Sequence, residues 1–589
     1  MITQHTNKIR VAIGFAQGLM LFALHKAAVT GTWWPGTDAL SFSALLMMVV
    51  MVPPLLITGY GQMRTRSLFA WGLCAAVLLA GLAMYDVSTR GGVDVNGLLS
   101  YREARQVNAP SFMLVFFAAV GFCIAHTLIM AGDAERKYIS SYPRYFDTAW
   151  KLAVQVILSG VFVGLFWGVL ILGSALFNLI KIKFISDLIE KEWFYYPATA
   201  MAFAYALHVT DVRGNLVRSI RTLKLTLFSW LLPLMALFGA GFLIALPFQG
   251  LEHLWSTRYA SVILLAAAAW LIVLINAAYQ DGTPEHAPPK ILRYAGSLAS
   301  VLLLPLVVIA AYAISLRVEQ YGWTANLIQK FACVIVGMCY AVGYLWAAII
   351  PHPWLRKLER TNILAALLTL AVLLALFTPI ADPARLSVTS QIGRLEKGEV
   401  SPDKFDYVYL AKEGEIYGTN ALKKLEAAAS GPQAELIKKK VSEALLSKNS
   451  PRPLRVPLVD VTDITVYPKG RNLPESFTRQ VWDVSKVERW EMPSCLYNIE
   501  QKCEAFLIDG AKGVEFIILM DVAAYGNSVI FHSAEGGWKN AGRLWQGKLN
   551  CKGIREALRS KPFKMVPSGK QELEVDGIRI PFKPDDKCP

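Results

Sequence analysis

The sequence predicts an α-helical polytopic membrane protein with about eleven transmembrane helices, followed by a C-terminal soluble α+β domain. Hydrophobic residues make up 54% of the 589-residue chain, and charged residues make up only 17%. Soluble proteins carry roughly 25% charged residues. The mean hydropathy is also positive, at +0.40. These values indicate that a large part of the chain lies in lipid.

The charged residues are distributed unevenly along the chain. Residues 1–381 contain 27 Lys and Arg against 16 Asp and Glu, whereas residues 382–589 contain 32 against 28. We therefore expect a polytopic transmembrane domain at 1–381, a helical periplasmic segment at 382–448 and a periplasmic α+β module at 449–589. Most of the basic excess lies in short loops of the first part, where it orients membrane helices. This distribution argues against a nucleic-acid partner.

Eleven apolar runs are long enough to cross about 30 Å of hydrocarbon. They lie at 11–30, 42–59, 67–85, 111–131, 152–178, 195–212, 225–248, 259–280, 294–315, 326–350 and 362–380. With a cytoplasmic N-terminus, the inner segments carry seventeen Lys and Arg and the outer loops carry eight. This bias predicts a multi-pass protein of the bacterial inner membrane, and the odd number of spans predicts that the C-terminal domain is periplasmic.

The first apolar run has a second interpretation. Lys8 and Arg10 precede it, and Ala27-Ala28 lies where a signal peptidase would cut. Gln17, His25 and Lys26 make the run a poor signal-peptide core, which favours a retained helix. Cleavage would leave the orientation of every later span unchanged.

Few ionisable side chains fall inside the predicted spans, and no Asp or Glu falls in the middle of one. His126, His208 and Asp211 lie toward the inner ends of their spans. His208 and Asp211 are three residues apart and share a helical face, which Tyr205 extends by one turn. Polar groups in a membrane face protein or water, so these four residues are the candidate ligand-lining set. A structural polar pair at an interface between helices is the alternative.

The eight cysteines divide between the two parts of the chain. Cys74, Cys123, Cys333 and Cys339 lie in predicted spans and are expected to pack as small apolar side chains. The other four lie in the exported module, where an oxidising compartment favours disulfides, with predicted pairs Cys495–Cys503 and Cys551–Cys588. A metal site is the alternative, but the module has no CxxC pair and only His532 nearby.

The exported part is predicted to contain helices at 386–446, one of them starting at the Ser401-Pro402-Asp403 sequence. Strands are predicted at 514–522, 528–532 and 542–547, with hairpin turns at 535–537 and 576–577. Together these elements predict a small α+β module with a β-meander.

No motif indicates a reaction. The sequence lacks a phosphate-binding GxxxxGK[ST] loop, an HExxH zinc motif and a GxSxG nucleophile elbow. We therefore expect no cofactor and no metal. No catalytic residue can be assigned, and the sequence does not favour an enzyme.

Five segments resemble a family of bacterial membrane proteins. They read YPRYFDTAWK at 142–151, ALHVTD at 206–211, NAAYQDG at 276–282, YGWT at 321–324 and SPDKFDY at 401–407. In this order they are similar to the inner-membrane proteins grouped as domain of unknown function 4153. The resemblance spans about residues 110–430 and implies an integral membrane protein, but it carries no reaction and no catalytic residues.

Three functions remain open on the sequence. In order of preference they are a permease or flippase-like transporter of a polar or amphipathic molecule, an envelope scaffold or sensor with a periplasmic binding domain, and a membrane-embedded transferase. Eleven spans exceed what an anchor needs, which favours the first. The expected partners are the lipid bilayer and an envelope protein or small molecule that the sequence does not specify.

Overall fold

The computed structural model describes most of the chain. The described residues are 2–90, 109–212, 214–250, 259–283, 287–350, 354–429, 432–448, 464–478, 503–510, 513–521, 528–534, 537–543, 558–559, 572–575 and 578–581. The chain divides into two compact units, Met1–Val441 and Ser442–Pro589.

The first unit is helical. Its first twelve described helices are α1 (Ile2–Thr30), α2 (Ala39–Gly59), α3 (Thr65–Thr89), α4 (Phe112–Glu135), α5 (Tyr142–Leu179), α6 (Phe184–Ile189), α7 (Glu192–Val212), α8 (Gly214–Gln249), α9 (Ala260–Tyr279), α10 (Lys290–Tyr321), α11 (Ala325–Ile349) and α12 (Leu358–Leu376). Each predicted span coincides with one of these helices. Side-chain caps begin several of them, such as Asp38, which accepts hydrogen bonds from the backbone N–H groups of Leu40 and Ser41 at the start of α2.

Within the described residues, ten helices are long and apolar enough to cross a membrane, which confirms the polytopic architecture. They are α1 to α5 and α8 to α12. The sixth predicted span, 195–212, is the helix α7, which packs along α1 and against α5 and is not among the ten. The helix α5 has 38 residues. At 1.5 Å per residue it is longer than an untilted helix needs to cross the bilayer core.

Four further helices follow the last membrane helix: α13 (Pro383–Glu396), α14 (Tyr407–Glu413), α15 (Glu415–Ala428) and α16 (Ala434–Lys448). The predicted helix start at Ser401 is wrong, because α14 begins six residues later, where the Asp406 side chain accepts a hydrogen bond from the Tyr409 backbone N–H. The hydroxyl of Tyr85 on α3 donates to Asp382 at 2.6 Å and lies 2.9 Å from the Tyr417 hydroxyl of α15. These contacts attach the segment to the membrane helices.

The second unit contains a five-stranded sheet in the order β1-β2-β3-β4-β5. Its strands are β1 (Ile464–Tyr467), β2 (Cys503–Gly510), β3 (Gly513–Asp521), β4 (Ser528–Ala534) and β5 (Gly537–Arg543). The strand β1 pairs with β2 in parallel, and the other neighbours pair antiparallel, so β2 to β5 form a meander. A separate hairpin joins β6 (Glu572–Val575) and β7 (Ile578–Pro581). The meander and both hairpins agree with the sequence patterns. The strand β5 begins at Gly537, five residues before the predicted start at 542.

One face of the sheet is covered by the short helix α17 (Glu475–Thr478). The ring of Phe477 lies 5.3 Å from that of Phe531 and 5.5 Å from that of Trp538. On the surface, Arg471 donates two hydrogen bonds to Asp509, at 2.7 and 2.9 Å, which lowers the pKa of that carboxyl below its ordinary value. Cys503 is buried at the start of β2. The other three cysteines with predicted disulfides, Cys495, Cys551 and Cys588, lie outside the described residues.

Candidate functional site

A cluster of charged and amide side chains surrounds the carboxylate of Asp211 near the end of α7. Arg10 of α1 donates to it at 2.9 Å, and the ammonium of Lys151 on α5 lies at 2.8 Å. The amide of Gln62, in the turn between α2 and α3, donates at 3.0 and 3.1 Å, and that of Gln155 on α5 donates at 3.3 Å. One carboxylate therefore joins three helices and a turn.

Arg10 is the most buried charge of this cluster, with 2% of its surface exposed. Its Nη2 also donates to the backbone carbonyl of Tyr60 at 2.6 Å. Two buried nitrogens beside the cluster, Arg10 Nε and His208 Nδ1, have no hydrogen-bond partner among the described residues. Removing one partner of a buried ion pair leaves the other uncompensated, so this cluster is a strong structural constraint.

His126, the other histidine predicted to line a ligand site, lies between α2, α3 and α4. Its Nδ1 accepts a hydrogen bond from the Trp71 indole at 3.1 Å, and its Nε2 lies 3.0 Å from the Thr58 hydroxyl. Because indole can only donate, Nδ1 carries no proton, and Nε2–H of the neutral ring donates to Thr58. Thr58 in turn donates to the carbonyl of Pro54 at 2.8 Å. His126 and Asp211 thus belong to two different polar clusters.

A cavity of about 600 Å³ opens between six helices, α2, α4, α5, α9, α11 and α12. Its walls are mainly apolar and aromatic, and its polar lining groups include His126 and Thr58 at one side and Tyr142, Asn276 and Asn362 at another. No Asp, Glu, Lys or Arg is among the described residues that line it. A smaller cavity of about 450 Å³ lies between the start of α1 and the turn between α2 and α3.

The mouth of the larger cavity lies on the side of the helix bundle. The lining residues of α4 and α5 include five that are exposed: Cys123, Ala149, Ala153, Val156 and Ile157. These side chains are small or apolar and belong to helices that qualify as membrane spans. The opening therefore faces the surface that hydrocarbon would cover.

A closed hydrogen-bond network forms the polar end of this cavity. Asn276 on α9 donates to the Tyr344 hydroxyl of α11 at 2.7 Å, and Tyr344 donates to the Asn362 carbonyl of α12 at 2.7 Å. The Asn362 amide donates to the Asn276 carbonyl at 2.6 Å and to the Tyr142 hydroxyl at 3.3 Å. Tyr142, at the start of α5, donates back to Asn276 at 3.3 Å. Four helices are fixed by four uncharged side chains.

The structure distributes the four predicted ligand-lining residues among different surroundings. His126 lines the cavity, and Asp211 lies in the ion-pair cluster. His208 is 8% exposed beside that cluster, while Tyr205 is 46% exposed, with its ring 6.2 Å from that of Phe162.

Sequence reasoning missed the polar network at the end of the cavity. Tyr142 and Asn276 fall inside the segments at 142–151 and 276–282 that resemble the family, which is a signal that could have singled them out. Tyr344 and Asn362 carry no such signal, because both lie outside these segments and each has another polar residue close by in its helix, such as Tyr340 and Thr361.

Ten apolar helices among the described residues, six of which line a laterally open cavity, define this chain as an integral, multi-pass membrane protein. The family described as Domain of unknown function (DUF4153) matches residues 27–425, more than half of the chain, and the chain belongs to this family. All four residues of the polar network lie in the matched range. No curated protein and no solved structure matches the chain.

We predict that Asp211→Ala destabilises the protein by about 3–5 kcal/mol, because Arg10 is then left buried without its counter-charge. The loss is measurable as a lower melting temperature in detergent and a lower abundance in the membrane. Adding Arg10→Met to this variant should restore part of the stability, since the unpaired charge is removed. The control is Glu319→Ala at an exposed carboxylate of α10. Equal melting of Asp211→Ala and the natural protein would contradict the structural role.

Proposed function

We propose that this protein is a permease or flippase-like transporter of a polar or amphipathic molecule, which occupies the cavity between α4 and α5. The observation that carries this proposal is the lateral mouth of the cavity. A molecule dissolved in the bilayer can reach it without crossing water. The volume of about 600 Å³ lies within the range of ligand pockets, roughly 300–1,000 Å³.

The chemistry of the lining favours an amphipathic occupant. Aromatic and aliphatic walls, such as Phe146 and Trp150, match an apolar body, and the amides of Asn276 and Asn362 match a polar group. Polar groups at membrane depth are costly unless they face protein, water or a ligand. Their concentration at one end of an otherwise apolar cavity supports a site for a molecule with one polar end.

The two polar clusters then have different roles in this proposal. His126 contributes to the ligand cavity, where its hydrogen bonds to Trp71 and Thr58 keep the ring in one orientation. Asp211 holds α7 against α1 and α5 at the side of the site, and His208 lies buried next to it. Tyr205 extends the α7 surface toward α5, where it meets Phe162.

We predict that Ala153→Trp abolishes transport, because the indole would fill the mouth of the cavity. The measurement uses proteoliposomes that contain a fluorescent lipid analogue. A membrane-impermeant quencher added outside reports the fraction of the analogue in the outer leaflet. The matched control is Leu165→Trp, which adds the same side chain at an exposed position of α5 that does not line the cavity.

The transporter is supported if the natural protein and Leu165→Trp move the analogue and Ala153→Trp does not. Movement of the analogue that is equal in both variants would exclude the cavity as the route. Complementation of a deletion strain by Ala153→Trp at normal abundance would favour the envelope scaffold or sensor instead.

We also propose that the protein lies in the bacterial inner membrane with its N-terminus in the cytoplasm and its C-terminal module in the periplasm. This orientation requires α7 to cross the membrane as an eleventh span, in addition to the ten apolar helices. The support is the excess of Lys and Arg in alternate loops, seventeen against eight. We expect alkaline phosphatase fused after Leu386 to be active and a fluorescent protein fused there to be dark. The same two fusions after Gly282 serve as the control and should give the opposite result. A bright fluorescent protein after Leu386 would overturn this orientation.

In an oxidising periplasm we expect Cys495–Cys503 and Cys551–Cys588 disulfides, each stabilising the module by about 2–4 kcal/mol if unstrained. Peptide mapping after alkylation, without reductant, should find the two linked pairs. The four membrane cysteines, Cys74, Cys123, Cys333 and Cys339, are free and supply the internal control for alkylation of the denatured chain. Free thiols at all four exported positions would rule out the disulfides.

A further inference from the structure

The hydrogen-bond inventory of the polar end points to a neutral lipid alcohol, and we infer that the cavity binds a molecule with a long apolar body and a hydroxyl head group. This inference rests on the proposed function, because it names the chemical class of the molecule that occupies the same cavity.

The four side chains of the network have six N–H and O–H hydrogens, and all six already donate to oxygens of the protein. The Asn276 amide donates to Tyr344 and to the carbonyl of Ile272, and the Asn362 amide donates to Tyr142 and Asn276. The two phenol hydroxyls donate to the carbonyl oxygens of the two asparagines. The network therefore has no N–H or O–H left for a ligand.

Acceptor capacity remains at the same place. The Asn362 carbonyl oxygen receives one hydrogen bond, from Tyr344, and an amide oxygen has two lone pairs. The Tyr142 oxygen already accepts one bond, from Asn362, so the open acceptor at this end is the Asn362 carbonyl. A ligand that engages this end must donate. A hydroxyl can do so and can also accept from the phenol of Tyr340, which lines the cavity.

The lack of charged side chains in the described lining argues against an anionic and against a cationic head group. A phosphate or carboxylate is costly to bury without a cation, and the described lining contains no Arg or Lys. An ammonium group could donate, but burying it without a carboxylate is expensive. The nearby carboxylate of Glu359 accepts a hydrogen bond from Tyr279 at 2.7 Å and is not among the lining residues. A neutral hydroxyl satisfies the open lone pair without a buried charge.

The test compares four molecules with the same eighteen-carbon chain: oleyl alcohol, its methyl ether, oleylamine and oleate. Native mass spectrometry of the full-length protein in detergent would measure the binding of each. We expect oleyl alcohol to bind about tenfold more tightly than the methyl ether, since one hydrogen bond of about 1.4 kcal/mol is lost. In the Asn362→Asp variant we expect the preference to change to oleylamine, because the cavity then contains a carboxylate.

Two failures can be distinguished. If the methyl ether binds as tightly as the alcohol and Ala153→Trp abolishes both, the hydroxyl inference is wrong and the cavity remains the ligand site. If Ala153→Trp leaves the binding of oleyl alcohol unchanged, the proposed function fails as well. Tightest binding of oleate or oleylamine to the natural protein would overturn the inference in favour of an ionic head group. Should Asn362→Asp fail to fold, the four-ligand series on the natural protein decides alone.

Discussion

The ion pair between Arg10 and Asp211 is the constraint on which the arrangement of the first half of the helix bundle depends. It connects α1 to α7, and Lys151 and Gln62 extend the same contact to α5 and to the turn between α2 and α3. Apolar packing between helices is weak in lipid, because hydrocarbon tails are as apolar as the side chains themselves. A buried charge pair supplies the specificity that packing alone would lack, since any shift of one helix would separate the charges.

The cavity depends on a different kind of contact. Tyr142, Asn276, Tyr344 and Asn362 hold α5, α9, α11 and α12 together with uncharged hydrogen bonds. Elsewhere in the lining, His126 is fixed by Trp71 and Thr58. The four-residue network and the His126 contacts each hold together helices that line the cavity. The exposed parts of α4 and α5 leave its mouth open. The arrangement combines two rigid polar contacts with a lateral opening, which is what a site for a bilayer-dissolved molecule requires.

The candidate site was only partly predictable. His126 could be singled out because a histidine in an apolar span is conspicuous, and it does line the cavity. Asp211 could be singled out because a carboxylate near an apolar span is also conspicuous. Its partners Arg10 and Lys151 could not, because they lie near the ends of predicted spans, where basic residues are ordinary orientation signals. Tyr344 and Asn362 could not be found, because tyrosine and asparagine are common near helix ends and only the fold brings these two together.

The sequence by itself determined that this protein is a multi-pass membrane protein, where its long apolar helices lie and which segment forms a β-meander. Each of these properties depends on a local requirement: a span must be apolar along its own length, and a strand must alternate along its own length. Only the tertiary structure decided which helices meet, that α7 lies beside α1, and that a cavity opens between α4 and α5. These depend on contacts between residues far apart in the chain, such as Arg10 with Asp211, and the local pattern of either residue contains no information about its partner.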